Sequence, residues 1–360
     1  MDLTLDILQD AITNLAKKAR KDSIKRRQRR NLSVPAAKWI APAMIKGRQG
    51  YALSVVLATV GCSHAISEAG GCTMCSYLLD GTEEHPTHEQ LIQQFEVALG
   101  KLEEKPVPYS VKIYTSGSFL DTREVSIIAR KAILEKIGRD ERIEEVVLES
   151  RPEYVSDSLM HEVKSILGDR KIEIGIGLES TNDQVRSLCI NKGFTLDKFQ
   201  EALEICKTHG IGIRAYVLVK PPFLTERDAL LDSVSTIIKA AEMGITTASI
   251  NPVNVQSYTL VERLWRSRDY RPPWLWTVVE ILKQARKEVN HTIPILCDPV
   301  AAGKSRGTHN CGICDSSIIQ AIRSFSLSQD LDVFDDLSCG CRNLWEHVLT
   351  HEDISLVSHL

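Results

Sequence analysis

"YALSVVLATVGCSHAISEAGGCTMCSY", residues 51 to 77, carries an almost unbroken apolar run into a loop holding Cys62, Cys72 and Cys75 at a spacing of C-x9-C-x2-C. An apolar run that ends at a glycine, without the alternation of a half-solvated strand, is the pattern of a strand covered on both faces, as parallel sheets require. The loop then places three soft donors just beyond the C-terminal end of that strand.

Working outward, the same grammar repeats. "THEQLIQQFEVALGKLEE" has helical periodicity with Thr87 as its cap, "YSVKIYTSGSF" is a strand ending in small residues, and "VSIIARKAILEKI" is a helix. "IEEVVLESRP" is a strand, "DSLMHEVKSIL" a helix and "IEIGIGLES" a strand. "LDKFQEALEICKTHG", "IGIRAYVLVKPP", "ALLDSVSTIIKAAEMG" and "TTASINPVN" complete the series as helix, strand, helix and strand. Strands alternating with helices predict an α/β fold with a parallel sheet covered by helices. Six strands are fewer than a closed barrel needs, so the expected architecture is a partial (β/α)6 barrel. In such folds chemistry gathers at the C-terminal strand ends, where Ser116 and Gly117, Glu149 and Arg151, Glu179 and Ser180, and Lys220 all fall, with Arg214 within the fifth of the six strands.

The chain has 360 residues, 44 Lys and Arg against 47 Asp and Glu, and ten cysteines. No stretch approaches the roughly 18 apolar residues of a membrane span, and the N-terminus is acidic where a signal peptide is basic, so a cytoplasmic enzyme with no membrane partner is expected. In a reducing compartment clustered cysteines point to metal or redox chemistry and away from a disulfide framework. Charge is unevenly spread: nine of the fourteen residues from Lys17 to Arg30 are Lys or Arg, following a periodic apolar segment that predicts a helix. The run is either a solvated helix face or an arm that contacts phosphates.

Three thiolates close together leave a four-iron cluster with one open iron, and an open position is what lets a metal site bind a reactant. Zinc on three thiolates is the competing reading. Towards the C-terminus Cys311 and Cys314, then Cys339 and Cys341, form C-x2-C and C-x-C pairs that suit a four-thiolate zinc site, with an auxiliary iron-sulfur cluster or unliganded thiols as alternatives. The adjacent "AGKSRGTHN" (302 to 310) is a phosphate-gripping loop or a plain surface loop.

The cysteine spacing resembles that of the radical S-adenosylmethionine (SAM) superfamily, in the branch of the Elongator catalytic subunit, and the likeness spans about residues 50 to 275. "TSGSF" is similar to the loop that contacts the methionine amino group, "GLESTNDQVRSLCINKGFT" to a fourth-strand segment that contacts SAM, and "ESRPEYV" to the third-strand motif. Met74 stands where an aromatic residue often precedes the third cysteine, and the second-strand loop lacks the usual paired glycines. The resemblance implies a 4Fe-4S cluster on Cys62, Cys72 and Cys75, and SAM held by Ser116, Gly117, Glu149, Glu179 and Lys192; Arg214, from its place in the fifth strand, is expected among SAM's polar contacts as well. It also implies reductive cleavage of SAM to a 5′-deoxyadenosyl radical, with an electron donor that is not identified.

Together with "INPVNVQSYTLVERLW", "RPPWLW" and "RGTHNCGICD", the layout is similar to the radical-SAM subunits of archaeosine synthase. That likeness implies a lyase acting on tRNA, cleaving the lysine carbon-nitrogen bond of a lysine-bearing deazaguanine in the D-arm after a partner lysine transferase has attached the lysine. The expected organisation is a basic extension over residues 1–48, the barrel over 49–275, and a cysteine-rich tRNA-binding module over 276–360. An Elongator-like wobble-uridine modifier would need an acetyltransferase domain for which no room remains after residue 275. A non-catalytic tRNA-binding metalloprotein would cleave no SAM. A barrel acting on a small molecule is a further reading, weakened by the basic arm.

Overall fold

Each apolar run of the series has become a strand, and the sheet keeps them in chain order. The computed structural model describes residues 3–24, 30–102, 107–289 and 292–353. Its eight strands are β1 (Ala37–Ile45), β2 (Arg48–Val56), β3 (Tyr109–Tyr114), β4 (Ile143–Glu149), β5 (Lys171–Glu179), β6 (Gly212–Val219), β7 (Thr247–Pro252) and β8 (Ile295–Cys297), hydrogen-bonded in that order. β1 pairs antiparallel with β2 through a turn at Lys46 and Gly47, and every later neighbour is parallel. The sheet is open, with β1 and β8 at its ends, as a partial barrel demands. The six expected strands are β2 to β7.

Two strands were not expected. β1 contains Pro42, which removes a ladder donor and is tolerated because β1 is an edge strand. β8 has three residues, too few for periodicity to register. The helices are α1 (Leu3–Ile24), α2 (Ser63–Ile66), α3 (His88–Leu99), α4 (Ile127–Arg139), α5 (Asp157–Leu167), α6 (Leu196–Thr208), α7 (Glu226–Met243), α8 (Leu260–Ser267), α9 (Leu275–Glu288), α10 (Asp315–Ser328) and α11 (Cys341–His351). Thr87 caps α3 in a reciprocal box with Gln90, and Thr225 caps α7. Among the described residues no helix is long and apolar enough to cross a membrane.

Strand alternation divides the sheet's two faces. Val111, Ile113, Val146, Leu148, Ile172, Ile174, Ile176, Ile213 and Ala215 point outward into one apolar core with the helices. That core runs on through Leu275, Cys297, Phe325 and Trp345. The expected boundary at 275/276 therefore falls at the start of α9, inside continuous packing. The opposite face carries Glu173 and Arg214, joined by Arg214 Nε and Nη2 donating to Glu173 Oε2 at 3.1 and 2.8 Å. Both are almost fully buried. Glu173 also accepts from Thr246 and Thr247.

Burial alone would raise the Glu173 carboxyl, but Arg214, Lys171 and the two threonines outweigh it and hold the group down at about 2. A carboxyl depressed on folding stabilises the protein above its unfolded pKa, and that contribution disappears as pH falls towards the folded value. We expect about 3 kcal/mol of stability to be lost between roughly pH 4.5 and pH 2. Urea unfolding across that window should show a flatter pH dependence in Glu173→Gln than in the parent chain.

Candidate active site and metal centre

The cysteine loop leaves the C-terminal end of β2 and is pinned by the segment that follows β5. There the sequence Val185–Ile190 forms a π-helical turn, a form that recurs at functional sites because its extra residue re-aims the chain. The turn ends at Asn191 in the left-handed region, a conformation asparagine tolerates. From there Asn191 Nδ2 donates to the carbonyls of Ala69 and Gly71 at 2.7 and 2.9 Å, and the His64 Nε2–H donates to the Asn191 carbonyl at 2.7 Å. Thr73 adds a backbone bond to Ile190 and a hydroxyl bond to Cys189. The loop is thus sewn to the next-but-two strand end.

This sewing brings Lys192 beside the thiols. Its ammonium donates to Glu179 Oε1 at 2.7 Å, and Glu179, itself at positive φ, closes β5. Gly177 makes the room: a methyl there would stand 2.5 Å from both the Lys192 ammonium and Glu179 Oε1. Arg151 Nη1 donates to the Lys192 carbonyl at 3.1 Å, and Arg151 and Lys192 both lie over the Phe194 ring. Burial pushes the Cys72 thiol up, but Lys192, His64 and Arg151 outweigh it and bring it down to about 7. Burial raises Cys62 and takes Cys75 to about 12.

The acids behave in the opposite sense. Burial lifts Glu149 to about 8, with Glu179 and Glu124 reinforcing and Lys192 opposing it. Glu124, which sequence reasoning missed, organises the second-strand loop by accepting from Ser118 N and Thr59 Oγ1, both at 2.7 Å. Burial takes it to about 7. Gly117 lies against Cys62 and Glu124, and the Ser116 hydroxyl is buried with no protein partner. A buried hydroxyl with no protein partner calls for an explanation, and a bound ligand is one.

Ser116, Gly117, Glu149, Glu179 and Lys192 therefore collect with the three thiols at one end of the sheet. Arg214 lies within β6, level with Glu149 through Gly175 of β5, and its guanidinium pairs with Glu173.

The second cysteine group is built differently. Cys314 precedes α10, Cys341 opens α11, and Cys311 and Cys339 lie in the loops before them. Sulfur separations are 3.9 Å for Cys311 to Cys314, 3.7 Å for Cys311 to Cys339 and 3.6 Å for Cys314 to Cys341. Four sulfurs about 2.3 Å from one tetrahedral ion stand about 3.8 Å apart. The centre is sized for a single ion. Asn310 Nδ2 reaches Cys314 and Trp276 Nε1 reaches Cys341, and backbone N–H groups of Cys314 and Ile313 bring the Cys311 thiol down to about 7. Among the described residues this is the one group of three or more His, Cys, Asp or Glu whose donor atoms all lie within 4.8 Å of one another. Cys62, Cys72 and Cys75 do not form such a group.

In the "AGKSRGTHN" loop, Arg306 is engaged with Glu262 and the Val255 carbonyl and covers the Trp265 ring. Thr308 and Asn310 hold Pro273 and the start of α9. Lys304 is the exposed cation of the stretch. This loop is largely structural. Residues 25–29 of the basic run lie outside the described residues.

No family model matches the chain. Archaeosine synthase subunit beta of Methanosarcina acetivorans is 43% identical over 321 residues, covering 89% of this chain and 91% of the relative. The chain belongs to the archaeosine synthase subunit beta family. The Thermococcus kodakarensis protein of the same name is 41% identical over 313 residues, 86% and 95% of the two chains. An uncharacterized protein of Methanocaldococcus jannaschii is 38% identical over 358 residues, 98% and 96%. Among solved structures, Elp3 of Methanocaldococcus infernus aligns at 15% identity with a TM-score of 0.44 over 62% of this chain and 55% of that one. Methylornithine synthase aligns at 10% identity with a TM-score of 0.45 over 96% and 91%.

Two outcomes follow for family members with this geometry. Gly177→Ala should displace the Lys192 ammonium and cost about 1–3 kcal/mol, read by denaturant unfolding. Changing Cys314 or Cys341 to Ser should remove one bound metal ion per chain by elemental analysis and lower the thermal midpoint, because the metal's binding energy contributes to folding.

Proposed function

We propose that this chain is the radical-SAM subunit of an archaeosine synthase, acting on tRNA that carries a lysine-bearing deazaguanine. The observation that carries the reading is the end of the sheet where the thiols of the C-x9-C-x2-C loop meet Lys192 and Arg151, with Glu149 and Glu179 beside them. Family membership supplies the reaction: the names of the relatives are those of archaeosine synthase subunits.

Cys62, Cys72 and Cys75 would hold a 4Fe-4S cluster, and Ser116, Gly117, Glu149, Glu179 and Lys192 would hold SAM. When bound and reduced, this pair supplies a 5′-deoxyadenosyl radical. The chain's own residues do the rest. Lys192 and Arg151 stabilise the thiolate form of Cys72, while a largely protonated Glu149 can donate a hydrogen bond. The Ser116 hydroxyl gains the partner it lacks. The thiol donor set, tight spacing and closed coordination at Cys311, Cys314, Cys339 and Cys341 suit structural Zn2+. The partners in this reading are tRNA, the lysine transferase subunit and an external electron donor, in a reducing cytoplasm, with the basic run at the N-terminus meeting phosphates.

The test is anaerobic reconstitution with iron and sulfide, followed by dithionite, SAM and lysine-modified tRNA. Full-length protein should form 5′-deoxyadenosine and convert the base to archaeosine. Cys62→Ala, Cys72→Ala and Cys75→Ala should each lose the visible charge-transfer absorbance and both products. 5′-Deoxyadenosine formed with some other substrate and none with this tRNA would sink the archaeosine assignment alone. A full chain that cleaves no SAM would leave a non-catalytic metalloprotein.

A further inference from the structure

The cysteine loop has little regular structure, so its carbonyls need partners from elsewhere. Asn191 satisfies those of Ala69 and Gly71. Three others are taken by a residue some fifty positions upstream. Arg20, on the last turns of α1, donates from Nε to the Gly70 carbonyl at 3.4 Å, from Nη2 to Cys72 at 3.0 Å, and from Nη1 to Cys75. It is 3% exposed.

We propose that Arg20 is a positioning residue for the iron-sulfur cluster and that α1 forms the outer wall of the cluster site, an inference that rests on the cluster reading above. A guanidinium is suited to this task, because one rigid planar group can bind several carbonyls at once and never loses its charge. The helix is fitted to the loop as closely as its side chain is. Gly70 and Gly71 both adopt positive φ, and a methyl on Gly70 would stand 2.8 Å from the Lys17 backbone nitrogen. Small residues Ala16 and Ala19 line the buried face of α1 and permit that approach. Gln9 Nε2 donates to Asn191 Oδ1 at 3.0 Å, so α1 also grips the residue that sews the loop to the sheet. Lys17 pairs with Glu68 on the loop itself.

Two consequences follow from a buried cation bonded to the carbonyls of two ligand cysteines. It fixes the loop around whatever the thiols hold, as outer-sphere partners of metal ligands do. It also favours the more negative, reduced state of the cluster and so raises its reduction potential. An arm that merely steers RNA would do neither. On this account residues 3–24 cannot be removed while sparing the chemistry.

Full-length wild type, Arg20→Gln and Arg20→Lys are reconstituted anaerobically, with the C-terminal metal content and the thermal midpoint as controls for folding. Arg20→Gln should release iron to a chelator about tenfold faster than wild type. Its reduced-cluster EPR signal should appear at a lower potential. Arg20→Lys keeps the charge without the fork, so its potential should lie nearer wild type while its iron release stays fast. Should Arg20→Gln not fold, amide deuterium exchange over residues 68–76 of metal-free Arg20→Lys should still be faster than in wild type. A wild-type cluster with unchanged iron release and potential in Arg20→Gln, or unchanged exchange in Arg20→Lys, overturns the role of Arg20 and leaves the cluster reading standing. A wild type that takes up no cluster overturns that reading itself.

Discussion

The need to pair the backbone of a loop with few hydrogen bonds of its own governs this structure. Between Cys62 and Cys75 the chain makes one short helical turn, α2, and a few local turns, so several of its carbonyls are met by side chains reaching in from distant segments. Asn191 can do this only at positive φ, and the π-helical turn before it aims it there. The same turn delivers Lys192 to Glu179 and Cys72. A constraint on backbone polarity thus places the site's principal cation. The loop's other carbonyls draw α1 onto the loop and the π-helical turn, which gives the amphipathic N-terminal segment a surface to cover.

The electrostatics follow from crowding in a poorly solvated space. Glu124, Glu149 and Glu179 face one another at the strand ends with Lys192 and Arg151 as the nearby cations. Like charges so arranged cannot all be ionised, and burial lifts Glu124 and Glu149 towards neutrality. The cations meanwhile act on Cys72, whose thiolate is the form that binds metal. The same crowded sheet end thus raises Glu124 and Glu149 while lowering the Cys72 thiol.

How much of this the sequence discloses depends on range. β2 to β7 are legible because their apolar runs are local, and the two cysteine groups are legible because ligand spacing is local too. β1 hides behind Pro42 and a half-exposed pattern, and β8 behind its three residues. Arg20 belongs to a run that composition alone assigns to solvent or phosphate. Its partners lie some fifty residues away, and no periodicity encodes them. Glu124 is one acid among many until Ser118 and Thr59 fold back on it. Arg214 is visible in the sequence as a cation on a strand, but its pairing with Glu173 on the neighbouring strand β5 appears only in the fold.

The C-terminal segment is continuous with the site by the same kind of bonding. Arg306, from the loop that leads into Cys311, exchanges two hydrogen bonds with Val255 just beyond β7. The next residue, Gln256, accepts from both the backbone and the hydroxyl of Ser76, the immediate neighbour of Cys75. On the other side Trp345 of α11 donates to Thr277, which together with Trp274 N holds the buried Glu226. Glu226 in turn pairs with Lys220 at the end of β6. The four-cysteine group tying α10 to α11 therefore braces two strand ends of the same rim. One helix wraps the cysteine loop from the N-terminal side and the four-cysteine group braces it from the C-terminal side. The loop's geometry is then a property of the whole chain, and this accounts for a core that does not divide where the cysteine-rich sequence begins.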